Sequence, residues 1–215
     1  MSSMDKKIIS VLMIVLLLVP VIMPSVTLAA EDEIKIKDSA LADSIEISAD
    51  NNFDGVVTKE EFENMTYVSI WPEVESIEGL EGAKNLQSIR IRYTGKQFDF
   101  SKLDLKDVFV SVELEREVTK VDLSFLKTIK NVNRVNISGG KTDNVTINYE
   151  VLRDIPTLTA LSIYGNDILP KNLDVLSTLT NLTSLQLAGG GVNVQAKATV
   201  DITKISKLSN LTDIY

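Results

Sequence analysis

Apolar residues recur along most of the chain in one phrase: apolar, two variable residues, apolar, one variable residue, apolar. It stands at Met65/Val68/Ile70, Leu86/Ile89/Ile91, Leu105/Val108/Val110 and Val132/Val135/Ile137. It continues at Leu158/Leu161/Ile163, Leu182/Leu185/Leu187 and Leu211/Ile214. The last two apolar positions lie two residues apart, so in a strand they point to one side and their neighbours to the other. Each phrase therefore predicts a short strand with an apolar inner face. The lead-in repeats as well. Leu80, Ala83, Asn85 and Leu86 in one unit match Leu126, Ile129, Asn131 and Val132 in another. Leu176, Leu179, Asn181 and Leu182 repeat the theme, as do Ile205, Leu208, Asn210 and Leu211. An Asn directly before the strand in four units is more than random apolar spacing would preserve.

Successive phrases start 21, 19, 27, 26, 24 and 29 residues apart. Leucine-rich repeats have a period of about 20–29 residues. One such unit cannot bury its apolar face alone, and stacked neighbours supply a continuous core. The predicted fold is an α/β leucine-rich-repeat solenoid over residues 67–215, with a curved parallel sheet and the variable positions on its concave side. The competing reading, an ordinary α/β domain with short amphipathic segments, leaves the Asn-Leu phrase unexplained. Residues 96–121 are the least regular, and the strand there is placed at Leu105. The Asn that follows the strand in such repeats is present at Asn166, with Thr94, Gly140 and Gly190 in the matching places.

Ahead of the repeats, residues 50–61 carry Asp50, Asn52, Asp54, Gly55 and Glu61 at EF-hand spacing. On that reading a calcium ion takes oxygens from Asp50, Asn52, Asp54, the Val56 carbonyl and Glu61, with Thr58 acting through a water. A hard cation needs this many oxygens at short spacing. Leu41 and Ile45, one helical turn apart after an Asp38 or Ser39 cap, predict a helix before the loop. Phe62 and Met65 give the apolar face of a second helix after it. Thr58 and Glu61 equally form a capping box, in which the loop is simply a helix start. Residues 31–66 thus read as a small helical, EF-hand-like cap.

The first thirty residues read differently. Lys6 and Lys7 precede an apolar run over residues 8–23, and then come Ser25, Thr27, Ala29 and Ala30. These are the parts of a secretory signal peptide, with cleavage after Ala29 or Ala30. An uncleaved anchor is the alternative. The run is shorter than the roughly 20 residues that span a bilayer, and Pro20 interrupts it. Membrane contact is thus expected only through the transient signal, and the destination is secreted or cell-surface.

Composition narrows the chemistry. The chain has no Cys and no His, which removes thiolate nucleophiles, disulfides, Cys/His zinc sites and Ser-His-Asp arrangements. Its net charge is −8, unfavourable for non-specific contact with nucleic acid phosphates. A carboxylate-based hydrolase, such as a glycosidase using two acids, remains as an alternative, but the acids are scattered. A third reading makes calcium binding by the cap the main function.

Taken together, these features resemble the internalin-like surface proteins of Gram-positive bacteria. The resemblance is carried by Ile36-Lys37-Asp38-Ser39-Ala40-Leu41 and Val57-Thr58-Lys59-Glu60-Glu61-Phe62. It continues in Ile77-Glu78-Gly79-Leu80-Glu81-Gly82-Ala83-Lys84-Asn85-Leu86 at the junction into the repeats. It implies a non-enzymatic module that recognises a protein or glycan through its concave face. The positions it implies are Ser88, Arg90, Arg92, Arg134, Asn136 and Ser138, followed by Ala160, Ser162, Tyr164, Ser184, Gln186 and Asp213. Arg and Tyr are frequent anchors of interfaces; a solvated strand face with no partner is the bland alternative. The pattern breaks off at Tyr215 within an expected strand, as a fragment of a longer protein would; a last coil that is frayed or paired with another chain is the alternative. The Asn-x-Ser/Thr triplets at Asn64, Asn136, Asn144, Asn181 and Asn210 read as repeat composition.

Overall fold

The computed structural model describes residues 34, 36–139, 145–165, 168–170, 173–189 and 202–215. The expected signal peptide, together with Gly140, Asn144, Asn166 and Gly190, lies outside the described residues. Two helices, α1 (Ser39–Ala49) and α2 (Lys59–Asn64), precede the strands. Then come β1 (Tyr67–Ile70), β2 (Ser88–Tyr93), β3 (Val108–Leu114), β4 (Lys120–Val121) and β5 (Val132–Gly139). β6 (Thr146–Ile147), β7 (Ala160–Tyr164), β8 (Ser184–Ala188) and β9 (Asp213–Ile214) follow.

Seven strands form one sheet in the order β1-β2-β3-β5-β7-β8-β9, while β4 and β6 pair separately. Every pairing is parallel. The segments that return the chain between strands are mostly short 3₁₀ turns, such as Leu80–Gly82, Ser124–Thr128 and Tyr149–Asp154. This is a leucine-rich-repeat solenoid. Val68, Ile89, Val110, Val135, Leu161, Leu185 and Ile214 make one rung-to-rung row on the inner face. All of these but Ile214 are buried. Leu80, Leu126, Leu152 and Leu176 on the back of the coils are wholly buried against the same core.

The recurring Asn has a mechanical reason. Asn85, Asn131, Asn181 and Asn210 each donate from Nδ2 to a backbone carbonyl of the preceding coil, at Glu63, Leu105, Pro156 and Thr180. The distances are 3.0, 2.8, 2.8 and 2.9 Å. Where the fifth coil has Thr157 instead, its hydroxyl donates to the Val132 carbonyl at 2.7 Å. A carbonyl at a coil corner has no strand partner, and an orphaned one costs about 1–3 kcal/mol. The side chains of Asn181 and Asn210, though exposed, are thus hydrogen-bonded to the preceding coil, which gives two of the five triplets a structural reason.

The third strand corrects the sequence reading. It does not begin its phrase at Leu105, which is buried in the lead-in. The matching residues are Val108, Val110 and Val112, since Val108 pairs with Val132 and Val110 with Val135. A register shift between Val108 and Phe109 absorbs the missing residue. The inner-row interval from Ile89 to Val110 becomes 21 residues, and from Val110 to Val135 25. Asp107 takes the place of Asn131, and both have left-handed backbone, at φ 52° and 60°.

Helix α1 closes the first coil. Asp38 is its N-cap, accepting from the Leu41 amide at 2.9 Å, and Leu41, Ile45 and Ala49 are buried. The Ser44 hydroxyl donates to the Ser69 carbonyl on β1.

Candidate binding face

Residues that alternate with the inner row point outward and line up across the strands in three rows. One row runs Tyr67, Ser88, Phe109, Arg134, Ala160, Ser184 and Asp213. The middle row runs Ser69, Arg90, Ser111, Asn136, Ser162 and Gln186. The third holds Arg92, Glu113, Ser138, Tyr164 and Ala188. Every outward residue expected from the sequence is therefore on one continuous face of one sheet. The parallel register requires this, because a one-residue slip would turn a strand's inner set outward.

The face is already bonded to itself at its N-terminal end. Arg90 donates Nε and Nη2 to the two carboxylate oxygens of Glu113 at 2.8 and 2.7 Å. Arg92 donates Nε to Glu115 Oε1 at 2.6 Å, and its Nη2 lies 2.5 Å from the same oxygen as an ion pair. Glu113 first, and then Tyr67, hold the Arg90 guanidinium above its ordinary pKa, so it is a fixed cation. Arg92 also lies 5.5 Å from the centre of the Trp71 ring, and Arg134 5.9 Å from that of Phe109, both within cation–π range. The Tyr67 hydroxyl meets Ser69 Oγ, and Asn136 donates to Ser111 Oγ at 3.1 Å. Toward the C-terminal end the face carries one charge, Asp213 on the last strand, and the Tyr164 hydroxyl donates to Gln186 Oε1 at 2.5 Å among small residues.

Sequence reasoning missed Tyr67, Ser69, Trp71, Phe109, Ser111, Glu113 and Glu115. The first two flank Val68, so alternation along an already predicted strand would have supplied them. Phe109, Ser111 and Glu113 alternate with Val108, Val110 and Val112, so alternation would have supplied them too; the corrected register of β3 decides only which rows they join.

The cap loop is a separate arrangement. Asp50 Oδ1 accepts from the Asp54 amide at 3.3 Å and Asp50 Oδ2 from the Gly55 amide at 2.9 Å. Asn52 Oδ1 accepts from the Asp54 amide and Asp54 Oδ1 from the Val56 amide, both at 2.8 Å. Glu61 Oε2 accepts from the Thr58 amide at 3.0 Å and from its hydroxyl at 2.8 Å, and Thr58 Oγ1 accepts from the Glu61 amide at 3.2 Å. That is a complete capping box. Among the described residues no three acidic side chains stand together as a metal cage. The backbone of Gly55, at φ +79°, makes the turn these bonds need.

The similarity is to internalins. Internalin C2 from Listeria monocytogenes is 17% identical, over 83% of this chain and 92% of that one, with a TM-score of 0.34. A second internalin from the same strain is 19% identical, over 82% of this chain and 68% of that one, with a TM-score of 0.33. No family model matches the chain, and no curated protein matches it.

Proposed function

We propose that this chain is an exported binding module that recognises a protein or glycan on the secreted or surface side of a bacterium, through the concave face of its repeats. The observation that carries this is the three-row outward strip, on which Arg, Tyr and Phe side chains are set by the strand register, with Trp71 against Arg92 at its edge. Rigid aromatic and guanidinium groups lose little freedom on binding, which favours their use as anchors. Export is supported by the pattern of residues 6–30. The acidic net charge of −8 argues for partners other than nucleic acid. The test is capture on glycan arrays and on panels of extracellular proteins, comparing the parent with the variant Arg90→Gln/Tyr164→Ala. A partner of this face should be held at least about tenfold more weakly by the variant, as loss of interface anchors implies, with melting little changed. Equal capture by both forms would remove the face from the reading.

A second proposal concerns the cap: Asp50, Asn52, Asp54, the Val56 carbonyl, Thr58 and Glu61 take a calcium ion. The supporting observation is that the side-chain oxygens of Asp50, Asn52 and Asp54 already turn into their own loop. Coordination by Glu61 would compete with its capping box. Calorimetric titration should give one site that Glu61→Gln abolishes, with a higher melting temperature in calcium than in chelator. Identical melting in both would leave the capping box as the loop's only role.

A further inference from the structure

Resting on the binding reading above, we propose that Glu113 and Glu115 are specificity residues, which mask Arg90 and Arg92 so that the face accepts a protein surface of little net charge and rejects polyanions. The N-terminal half of the face carries three cations, Arg90, Arg92 and Arg134, and would attract sulfated glycans or nucleic acid if they were free. Two of the three are not. Each has a carboxylate from the neighbouring coil against its Nε and Nη2 edge. The paired side chains are about a third exposed: 38% and 30% for Arg90 and Glu113, 34% and 27% for Arg92 and Glu115. An approaching sulfate would therefore meet Glu113 and Glu115 as well as the guanidinium groups, and like charges repel.

A protein surface meets something else. Trp71 against Arg92 and Phe109 beneath Arg134 present flat apolar area with attached cations. Desolvating a paired charge costs less than desolvating a lone one, because the partner carboxylate stays in place when water leaves. The carboxylates thus keep the planar Arg surface while cancelling its long-range pull. Charge balance on this half of the face, three guanidinium groups against Glu113 and Glu115, fits a partner patch without strong charge of its own.

The test needs no natural partner, so its failure and the failure of the binding reading can be told apart. The probe is a heparin oligosaccharide, titrated at about 0.15 M salt, where exposed charges still act over roughly 8 Å. The parent chain is expected to bind it only weakly, and Glu113→Gln/Glu115→Gln at least tenfold more tightly, with affinity that falls as salt rises. Glu115→Gln alone, in which Trp71 still supports Arg92, should gain about threefold and serves where the double variant folds poorly. Glu60→Gln/Glu150→Gln makes the same change in net charge at exposed positions on α2 and on a back turn, and should gain almost nothing. Heparin binding by the parent that Arg90→Gln/Arg92→Gln abolishes would overturn the proposal. So would an equal gain in the two double variants, or no gain in a folded Glu113→Gln/Glu115→Gln chain.

Discussion

Gly139→Ala is expected to destabilise the solenoid by on the order of 3 kcal/mol, the sum of a left-handed backbone penalty and backbone overpacking. Gly139 sits at the exit of β5 with φ +99°. A Cβ there would lie 2.7 Å from the Leu114 carbonyl oxygen and 3.1 Å from the Leu114 amide nitrogen. Both atoms are backbone of the preceding coil, fixed by the ladder that pairs Leu114 with Gly139. No rotamer change can make room, so the coils would have to separate. Gly165 repeats the device one rung later, since its Cβ would meet the Gly139 carbonyl oxygen at 2.7 Å. Gly95 separates the two causes. It also has positive φ, +105°, but nothing lies within 4 Å of its Cβ position. Gly95→Ala should therefore cost only about 1–2 kcal/mol, the backbone term alone. Urea unfolding followed by circular dichroism reads both. If Gly139→Ala and Gly95→Ala lose the same stability, the close approach of neighbouring coils at Leu114 is not what Gly139 provides.

That pair of glycines shows where sequence reading stops. The period, the inner rows and the Asn before the strand were legible because each is a local regularity: Leu158/Leu161/Ile163 and Leu182/Leu185/Leu187 carry the same spacing in the chain and in the sheet. The third coil was misplaced because Asp107 replaces the Asn and the coil is shortened there, so Leu105 imitated a strand start. Tyr93 shows a further limit. It continues the inward alternation of β2 and is buried, and its hydroxyl accepts from the Asp122 amide at 3.0 Å. An apolar pattern that ends at Ile91 does not include it. The Arg90–Glu113 and Arg92–Glu115 pairs bridge 23 residues. They exist only once the register is known, since a shift of one residue would send Glu113 into the core side of β3. Site residues that touch across coils are properties of the stack, whereas repeat residues are properties of each unit.

Asp38 is such a residue, and removing its carboxylate should detach the cap. Its Oδ1 accepts from the Leu41 amide at 2.9 Å, and its Oδ2 from the Glu75 and Ser76 amides at 2.8 and 2.9 Å. One side chain therefore caps α1 and also holds the loop after β1, joining segments nearly forty residues apart in sequence. Partial burial pushes its pKa up, but the amides of Leu41, Glu75 and Ser76 outweigh that and hold it below the ordinary aspartate value. Around it, Lys37 pairs with Glu78 at 3.0 Å, and Lys96 holds Glu75 at 2.6 Å while donating to the Pro72 and Val74 carbonyls. Asp38→Ala is expected to cost on the order of 2 kcal/mol, a lost N-cap plus lost charge-assisted bonds, discounted for water access. For a domain of this size that is a fall in melting temperature of about 4–8 °C. The sign with pH follows from the lowered pKa: the folded state binds the proton less readily than the unfolded chain. The contribution is therefore fully present above about pH 5 and lost as pH falls through the folded carboxyl's pKa, which lies below the ordinary aspartate value. Parent and Asp38→Ala should differ at neutral pH and converge in acid, and the Glu75 and Ser76 amides should exchange faster in the variant. A stability difference that persists undiminished once the pH has fallen below the folded carboxyl's pKa would mean the charge of Asp38 is not what fastens the cap to the first coil.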